Sequence, residues 1–457
     1  MHKENSRIAV LAETPVLKAI VTMALPVMLG MIVQVLYNLV DTFFIGLMND
    51  VSQLAAANLG FPYFMITMAV GSVIGVGASS AISRFLGMKK NKEAGETAGL
   101  SMILVVLAGA AFTVFGLIFL EPLLFLLGAR GEVLAPTREY LFPLILGASV
   151  IMANFSVGVT LRAEGAALET TIGMIAGSIV NIVLDPIMIF TLDMGIAGAA
   201  WATIIGNLVG LGCYLWCYKR KSILKLSFGA NVWNPDYIRQ IFTVGVPAGL
   251  NQVLMSVSNI VSNNLAASYG ASVLASIGIA AKTNSLGILL LVGLSTGCQP
   301  LFGYNYGAKN RKRLVSLLTT GIILAFSLGL VMVGFYTATS RFLVSIFSNN
   351  SEVIATGRLV LTAMSSSAPL IGVIMMVMNS LQAFGKALPA LILSTGRQGL
   401  FYLPLLFTLN ALFGLYGFIF AQPVTDVIMA ILATLMLVYI LKTDPALKKA
   451  PGAEAVN

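Results

Sequence analysis

The chain has 457 residues, of which 58% are hydrophobic and only 10% charged, with a mean hydropathy of +0.93. Soluble domains carry roughly 25% charged residues, so a water-soluble enzyme or nucleic-acid-binding module is excluded and an all-α integral membrane protein is expected. The formal net charge of +9 then reports topology rather than a polyanionic partner.

The first apolar run extends from Val16 to Met48 behind Lys3 and Arg7. It is too long for a secretory h-region of about 7 to 15 residues, and reads as a retained span. A spanning helix needs about 20 mainly apolar residues. By that rule the chain divides into twelve, near 16–44, 56–83, 97–120, 136–159, 168–191, 195–218, 238–267, 275–303, 314–338, 355–379, 387–411 and 415–441. Connections are short, leaving no room for a sizeable soluble domain.

Ionisable side chains inside spans cost about 2.5–3.5 kcal/mol on insertion scales, which makes each one a functional candidate. Span one contains VLYNLVDTFFIG, in which Gln34, Tyr37 and Asp41 recur at helical spacing along one face, with Asn38 beside them. Tyr37 lies one turn from Asp41 and can donate its hydroxyl to the carboxylate. Asn154 adds an amide in span four. Span five contributes NIVLDP, with Asn181 and Asp185 four apart, and Pro186 freeing a carbonyl one turn earlier. Thr203 and Asn207 share a face of span six. Two carboxylates converging with an amide, a phenol and a hydroxyl in a low-dielectric pocket do not both stay ionised easily, which suits a proton carrier. The same oxygens at Asp41, Asp185 and Asn181 also suit a sodium ion.

The second half carries Gln252, Lys282, Arg397 and Asp426 within spans, with Asp426 the expected counter-ion of the two cations. VIMMVMNSLQ places Met376 in a thioether-rich stretch suited to varied ligands. Cys213, Cys217 and Cys298 read as small packing residues, because no His or acid accompanies them.

The halves repeat. VGASSAISRFLGMKKNKEA lies over TGCQPLFGYNYGAKNRKRL at an offset of 220, pairing Gly87 with Gly307 and Lys89 with Lys309. The same offset pairs RAEGAAL with QAFGKAL, and it shifts by only one residue at Pro26/Pro247 and Gly195/Gly414. Six spans per half, an even number, make these parallel repeats. The expected organisation is an N-lobe over 1–218, a linker over 219–235 and a C-lobe over 236–457. In repeat register Asp41 meets Ser262, Asn181 meets Phe401 and Asp185 meets Leu405, so the acidic pocket belongs to the first half alone.

Placing the N-terminus inside collects 21 basic residues on one face, including Arg7, Arg84, Lys89, Arg162, Lys219, Lys309, Lys448 and Lys449, against 4 on the other: Arg130, Arg138, Arg341 and Arg358. By the positive-inside rule both termini are cytoplasmic and the protein is a multi-pass cell-membrane protein.

LPVMLGMIVQVLYNLVDTFFIG, LRAEGAALETTIGMIAGSIVNIVLDPIMIF, GIAGAAWATIIGN and GCQPLFGYNYGAKN together resemble the multidrug and toxic compound extrusion (MATE) transporters over the full length. The closest likeness is to bacterial multidrug-efflux members with coupling acids in the N-terminal lobe. The resemblance implies a V-shaped pair of six-helix bundles that expels drug-like, often cationic organic molecules in exchange for H⁺ or Na⁺. By matched motif position, Asp41, Asn181 and Asp185 are the coupling groups, with Tyr37 and Thr203 beside them. Gln34, Asn38, Asn154, Asn207, Gln252, Lys282, Met376 and Arg397 are expected at the substrate cavity. Spans seven, eight and ten contain no Asp or Glu, which argues against the second-lobe sodium site of another branch. The expected partners are small organic molecules and the lipid bilayer, with no nucleic acid, no cofactor beyond the coupling ion, and a functional monomer.

Three alternatives stay open or fall on particular residues. A major-facilitator carrier also has six plus six spans, but RFLGMKKNKEA stands where its Gly-Asp-Arg loop belongs. A lipid-precursor or polysaccharide flippase of the wider superfamily calls for extra spans and a strongly basic cavity. A membrane prenyltransferase needs paired Asp-rich motifs, and the sequence has none.

Overall fold

The computed structural model describes residues 2–48 and 50–447. Lys448, Lys449, the remainder of the C-lobe and the side chain of Lys3 lie outside what is described. The described residues are helical, without a strand. The helices of the first half are α1 (His2–Ala12), α2 (Val16–Leu47), α3 (Val51–Gly87), α4 (Asn91–Ile118), α5 (Leu120–Leu126), α6 (Leu134–Leu146), α7 (Ala148–Ala163), α8 (Ala167–Pro186) and α9 (Gly195–Lys221). Those of the second are α10 (Pro235–Ala267), α11 (Ala271–Gly307), α12 (Arg311–Ser345), α13 (Ser351–Ser366), α14 (Ala368–Ala383), α15 (Ala387–Thr395) and α16 (Tyr402–Thr443).

Span four is a broken helix, with α6 and α7 bent by 51°, and span ten repeats the break between α13 and α14 at 41°. The break residues, Gly147 (φ −82°, ψ 0°) and Ser367 (φ −88°, ψ 0°), are partners in the 220-residue repeat. From Ala387 to Thr443 the chain is apolar and helical for 57 residues. At 1.5 Å per residue that is about 85 Å, far beyond a hydrocarbon core of about 30 Å. Gly414, at φ 58° and ψ −137°, breaks the run where only glycine sits without strain, and divides it into two crossings. Counted this way, the described residues carry the twelve crossing segments expected.

The repeat is written into the backbone as well. Lys89 (φ 60°) and Lys309 (φ 54°) both end a helix in the left-handed region, as do Gly165 (φ 90°) and Gly385 (φ 76°) in the corresponding loops.

The chain forms two compact units. Among the described residues, unit 1 takes those within 2–8, 25–82 and 91–256, and unit 2 those within 9–24, 83–90 and 257–447. The stretch 219–235 therefore lies inside unit 1, and α2, α3 and α10 each contribute to both units. Close backbone packing explains these allegiances. In unit 1, a Cβ on Gly77 of α3 would run into the carbonyl of Ile241 on α10. In unit 2, a Cβ on Gly87 would strike the Tyr304 carbonyl, and one on Gly307 the Arg84 carbonyl. The last two contacts are images of each other under the repeat. Glycine at such points lets backbones touch, which is what drives helix association where lipid is as apolar as the side chains. Large apolar side chains such as Phe115, Leu126, Phe335 and Leu412 point outward, as a lipid-facing surface requires.

Beyond the spans, Glu164 in the α7–α8 loop is fully buried in unit 1. It accepts bonds from Arg7 Nη1 at 3.1 Å, Ser222 Oγ at 2.6 Å and Ile223 N at 3.1 Å. Burial pushes its carboxyl up to about 7, against the stabilising pull of Ser222, Arg7 and Ile223. Arg7 also donates to Glu169 Oε1 at 2.6 Å, tying α1 to the start of α8.

Candidate functional site

The polar residues of the first half gather along α8 and α9 in unit 1. These helices approach closely because Gly177 and Gly206 face each other's carbonyl oxygens, at 2.6 and 2.7 Å from where a Cβ would stand. Asn181 and Asp185, one turn apart on α8, are buried. Asn181 Nδ2 lies 3.5 Å from both Asp185 Oδ1 and Thr203 Oγ1, long contacts that leave each group free to take a better partner. On α9, Asn207 Nδ2 donates to the Thr203 carbonyl at 2.8 Å, and Asn207 Oδ1 accepts from Asn154 Nδ2 of α7 at 2.8 Å. Pro186 has no N–H to continue the α ladder, and the next residues, Ile187–Thr191, widen into a π turn.

A cavity of about 130 Å³ follows this surface. It is lined by Gln34 and Tyr37 of α2, Asn154 of α7, Asn181 of α8, and Thr203 and Asn207 of α9. Six of the expected residues are thus brought together. Asp41 and Asp185 do not line it; they stand behind its Asn181–Thr203 end, within electrostatic reach of each other. Three oxygens here, Asp41 Oδ1, Asn181 Oδ1 and Asp185 Oδ2, are buried with no hydrogen-bond partner among the described residues.

The remaining expected residues are elsewhere. Tyr37 does not donate to Asp41. A helical side chain leans toward its own N-terminus, so the long phenol of Tyr37 leans away from residue 41 and into the cavity. Asn38 is exposed, one position off the polar face, and Gln252 is half-buried on α10 away from the cavity. Met376 is fully buried in unit 2 rather than presented to a ligand; a Cβ on Gly321 would lie 3.2 Å from its sulfur. Lys282 is exposed and forms no ion pair among the described residues, so Asp426 is not its counter-ion. Asp426 serves Arg397 alone, whose Nε donates to Oδ1 at 2.8 Å, while Ser367 Oγ donates to Oδ2 at 2.8 Å. In repeat register Arg397 and Asp426 correspond to Gly177 and Asn207. An ion pair fills in unit 2 what in unit 1 borders the cavity.

Sequence reasoning missed three groups. Tyr140 of α6 lies within electrostatic reach of both Asp41 and Asp185. Arg162 and Tyr214 line the far end of the cavity. Arg162 passed as one of many basic residues flanking a span, and the aromatics carry no polar signal against an apolar background. Among the described residues no cluster of three or more His, Cys, Asp or Glu exists that could hold a metal.

Comparison with known proteins gives one answer. The family model MatE matches residues 26–187 and again 247–408, one match per repeat. The chain is 32% identical over 434 residues to the multidrug export protein MepA of Staphylococcus aureus, covering 94% of this chain and 95% of that one. Among solved structures it resembles the outward-facing conformation of a multidrug resistance MATE family transporter of the MOP superfamily, at 30% identity with a TM-score of 0.89 over 97% of this chain and 99% of that one. It also resembles a mutant of the Vibrio cholerae MATE transporter VcmN, at 25% identity with a TM-score of 0.88 over 98% of this chain and 100% of that one. A polar cavity lined by the first repeat, on a fold shared along nearly its whole length with such proteins, and a family match in each half place the chain in the MatE family of membrane transporters.

Proposed function

We propose that the protein is a secondary antiporter of the cell membrane, with both termini cytoplasmic, that exports drug-like organic molecules in exchange for H⁺, Na⁺ being the other coupling ion its oxygens suit. Multidrug export is the activity named for the relative MepA, and the cavity supports the same class of cargo here. The observation that carries the reading is the group of buried oxygens without partners, Asp41 Oδ1, Asn181 Oδ1 and Asp185 Oδ2. Buried carboxylate oxygens are expensive to leave unbonded, by about 1–3 kcal/mol or more each. A proton or a small cation removes that cost, and so has a large differential affinity for this arrangement.

The resulting cycle needs only the residues described. With Asp41 and Asp185 ionised, the cavity takes up substrate. Ion capture at the Asp41–Asp185 end neutralises the pair, changes how α2 packs on α8, and releases substrate outward. Each charge moving through 100 mV supplies about 2.3 kcal/mol, which sets the scale of the work available.

The deciding measurement uses sealed vesicles containing the protein and a fluorescent organic cation. A proton gradient applied alone should drive its movement. Drive by a sodium gradient alone would assign the site to Na⁺, and movement with neither gradient would overturn the antiport reading.

A further inference from the structure

The cavity of unit 1 has two chemically different ends. Its wall on α8 runs from Thr170 to Asn181 and its wall on α9 from Thr203 to Tyr214, antiparallel, with Asn181 beside Thr203 and Gly173 against the Tyr214 ring. Eleven residues of helix are about 16 Å, so the cavity is a slot along the helix axes. At the Asn181 end stand the carboxylates of Asp41 and Asp185. At the opposite end is Arg162, on the last turn of α7. It is the one ionisable Lys, Arg, Asp or Glu among the lining residues.

Arg162 differs from the other arginines placed inside the protein. Arg397 has Asp426, and Arg7 has Glu164 and Glu169. Arg162 forms no ion pair and no side-chain hydrogen bond among the described residues, and the titratable neighbour whose field it feels is the Tyr214 phenol. A helix-pinning role would give it a carbonyl or a carboxylate to hold, and it holds neither. An unpaired guanidinium walled into a cavity at the end of a span is costly, and such groups mark substrate or ion pathways. Its planar fork matches a carboxylate in two parallel bonds, which a lysine in the same place could not offer. Between the two ends the lining mixes the hydrogen-bonded Asn154–Asn207 pair with soft apolar groups, Met31, Met174, Phe64 and Phe155.

We propose that Arg162 is the anion-recognition residue of this cavity, and that the substrates the cavity takes best are elongated aromatic amphiphiles carrying a carboxylate, which docks on Arg162 with any amine directed toward the Asn181–Asp185 end. This deepens the antiport reading by naming a substrate class for the same site, and rests on it for the statement that the bound molecule is cargo. Neutralisation of Arg162 by the ligand's own carboxylate makes a zwitterion a better guest than the corresponding cation. An ordinary cationic drug has nothing to offer the guanidinium and leaves it unpaired.

The test is binding to the full-length purified protein in lipid nanodiscs, with no ion gradient. The probes are 4′-(aminomethyl)biphenyl-4-carboxylic acid and its methyl ester, which differ in the negative charge and one methyl group. Calorimetric titration should give the acid a Kd at least tenfold below that of the ester. Arg162→Met should weaken the acid by tenfold or more and leave the ester unchanged or tighter, erasing the preference. Arg162→Lys, which keeps the charge without the fork, should keep part of it. Equal affinity of acid and ester for the native protein would overturn the proposal, as would an equal loss of both in Arg162→Met with Arg162→Lys behaving alike. Efflux measured in vesicles separates the two readings. An acid that binds through Arg162 without being moved by any gradient leaves the anion site standing and removes the antiporter; an ester that is pumped while the acid is ignored does the reverse.

Discussion

Arg397 and Asp426 form a buried pair, guanidinium Nε to carboxylate oxygen at 2.8 Å, at the repeat positions where the first half has Gly177 and Asn207. Ser367 and Gln422 donate to the same carboxylate, at 2.8 and 3.3 Å. Removing one member strands the other, and breaking a buried pair costs about 3–5 kcal/mol. Arg397→Met should therefore lower the thermal unfolding midpoint by several degrees, and Arg397→Met with Asp426→Leu should recover most of the loss. A single variant as stable as the native protein would show that the pair is not holding unit 2 together.

Asp41→Asn keeps the shape of the side chain and stands in for its neutral form, but cannot bind or release a proton. It should reduce gradient-driven efflux to background while the protein still inserts and elutes as a single species. Asp185→Asn should do the same. Efflux at the native rate in either variant would remove that residue from the coupling step.

The α8–α9 approach allows a volume test. A methyl group on Gly177 would sit 2.6 Å from the Gly206 carbonyl oxygen, whereas Gly212 on the same α9 helix has nothing within 4 Å of its would-be Cβ. Overpacking of this kind costs about 1–3 kcal/mol. Gly177→Ala should destabilise the protein by that amount and reduce substrate binding by spreading the cavity walls, while Gly212→Ala should leave both unchanged.

Glu164 gives a pH dependence outside the spans. Its carboxyl is raised from 4.5 in an unfolded chain to about 7 in the fold, chiefly by burial. The folded state therefore holds more protons than the unfolded one between those values, so its contribution to stability is full below about pH 4.5 and declines as pH rises to about 7. Glu164→Gln should flatten that part of the unfolding profile. An unchanged slope in the variant would place the titration elsewhere.

Much of this architecture was legible because membranes penalise polarity so heavily. Asp41, Asn181, Asp185 and Thr203 stand out against apolar neighbours, and the 220-residue offset carries the fold's symmetry. Other residues were legible only in type. Asn38 and Met376 looked as useful as Gln34, but a spacing argument cannot tell which side of a helix meets a cavity when every side is apolar. Arg162 was hidden by the opposite effect. Basic residues at span ends are so common that topology accounts for them, and only the lack of a partner in three dimensions singles it out. The pairing of Arg397 with Asp426, to the exclusion of Lys282, depends on which turn of each helix faces the other, which the order of residues along the chain does not give.

The interleaving of the two units, with residues 9–24 in one and 235–256 in the other, has a consequence in time. A chain emerging from the ribosome cannot complete unit 1 when its sixth span is made, since Gly77 still awaits the backbone of Ile241. Nor can the opening turns of α2, residues 16–24, find their final neighbours until the eighth span has been synthesised, since Ala24 packs on Gly297. Insertion can proceed span by span, yet tertiary packing must wait for nearly two thirds of the polypeptide. Each gene-half, expressed alone, is an unfinished object.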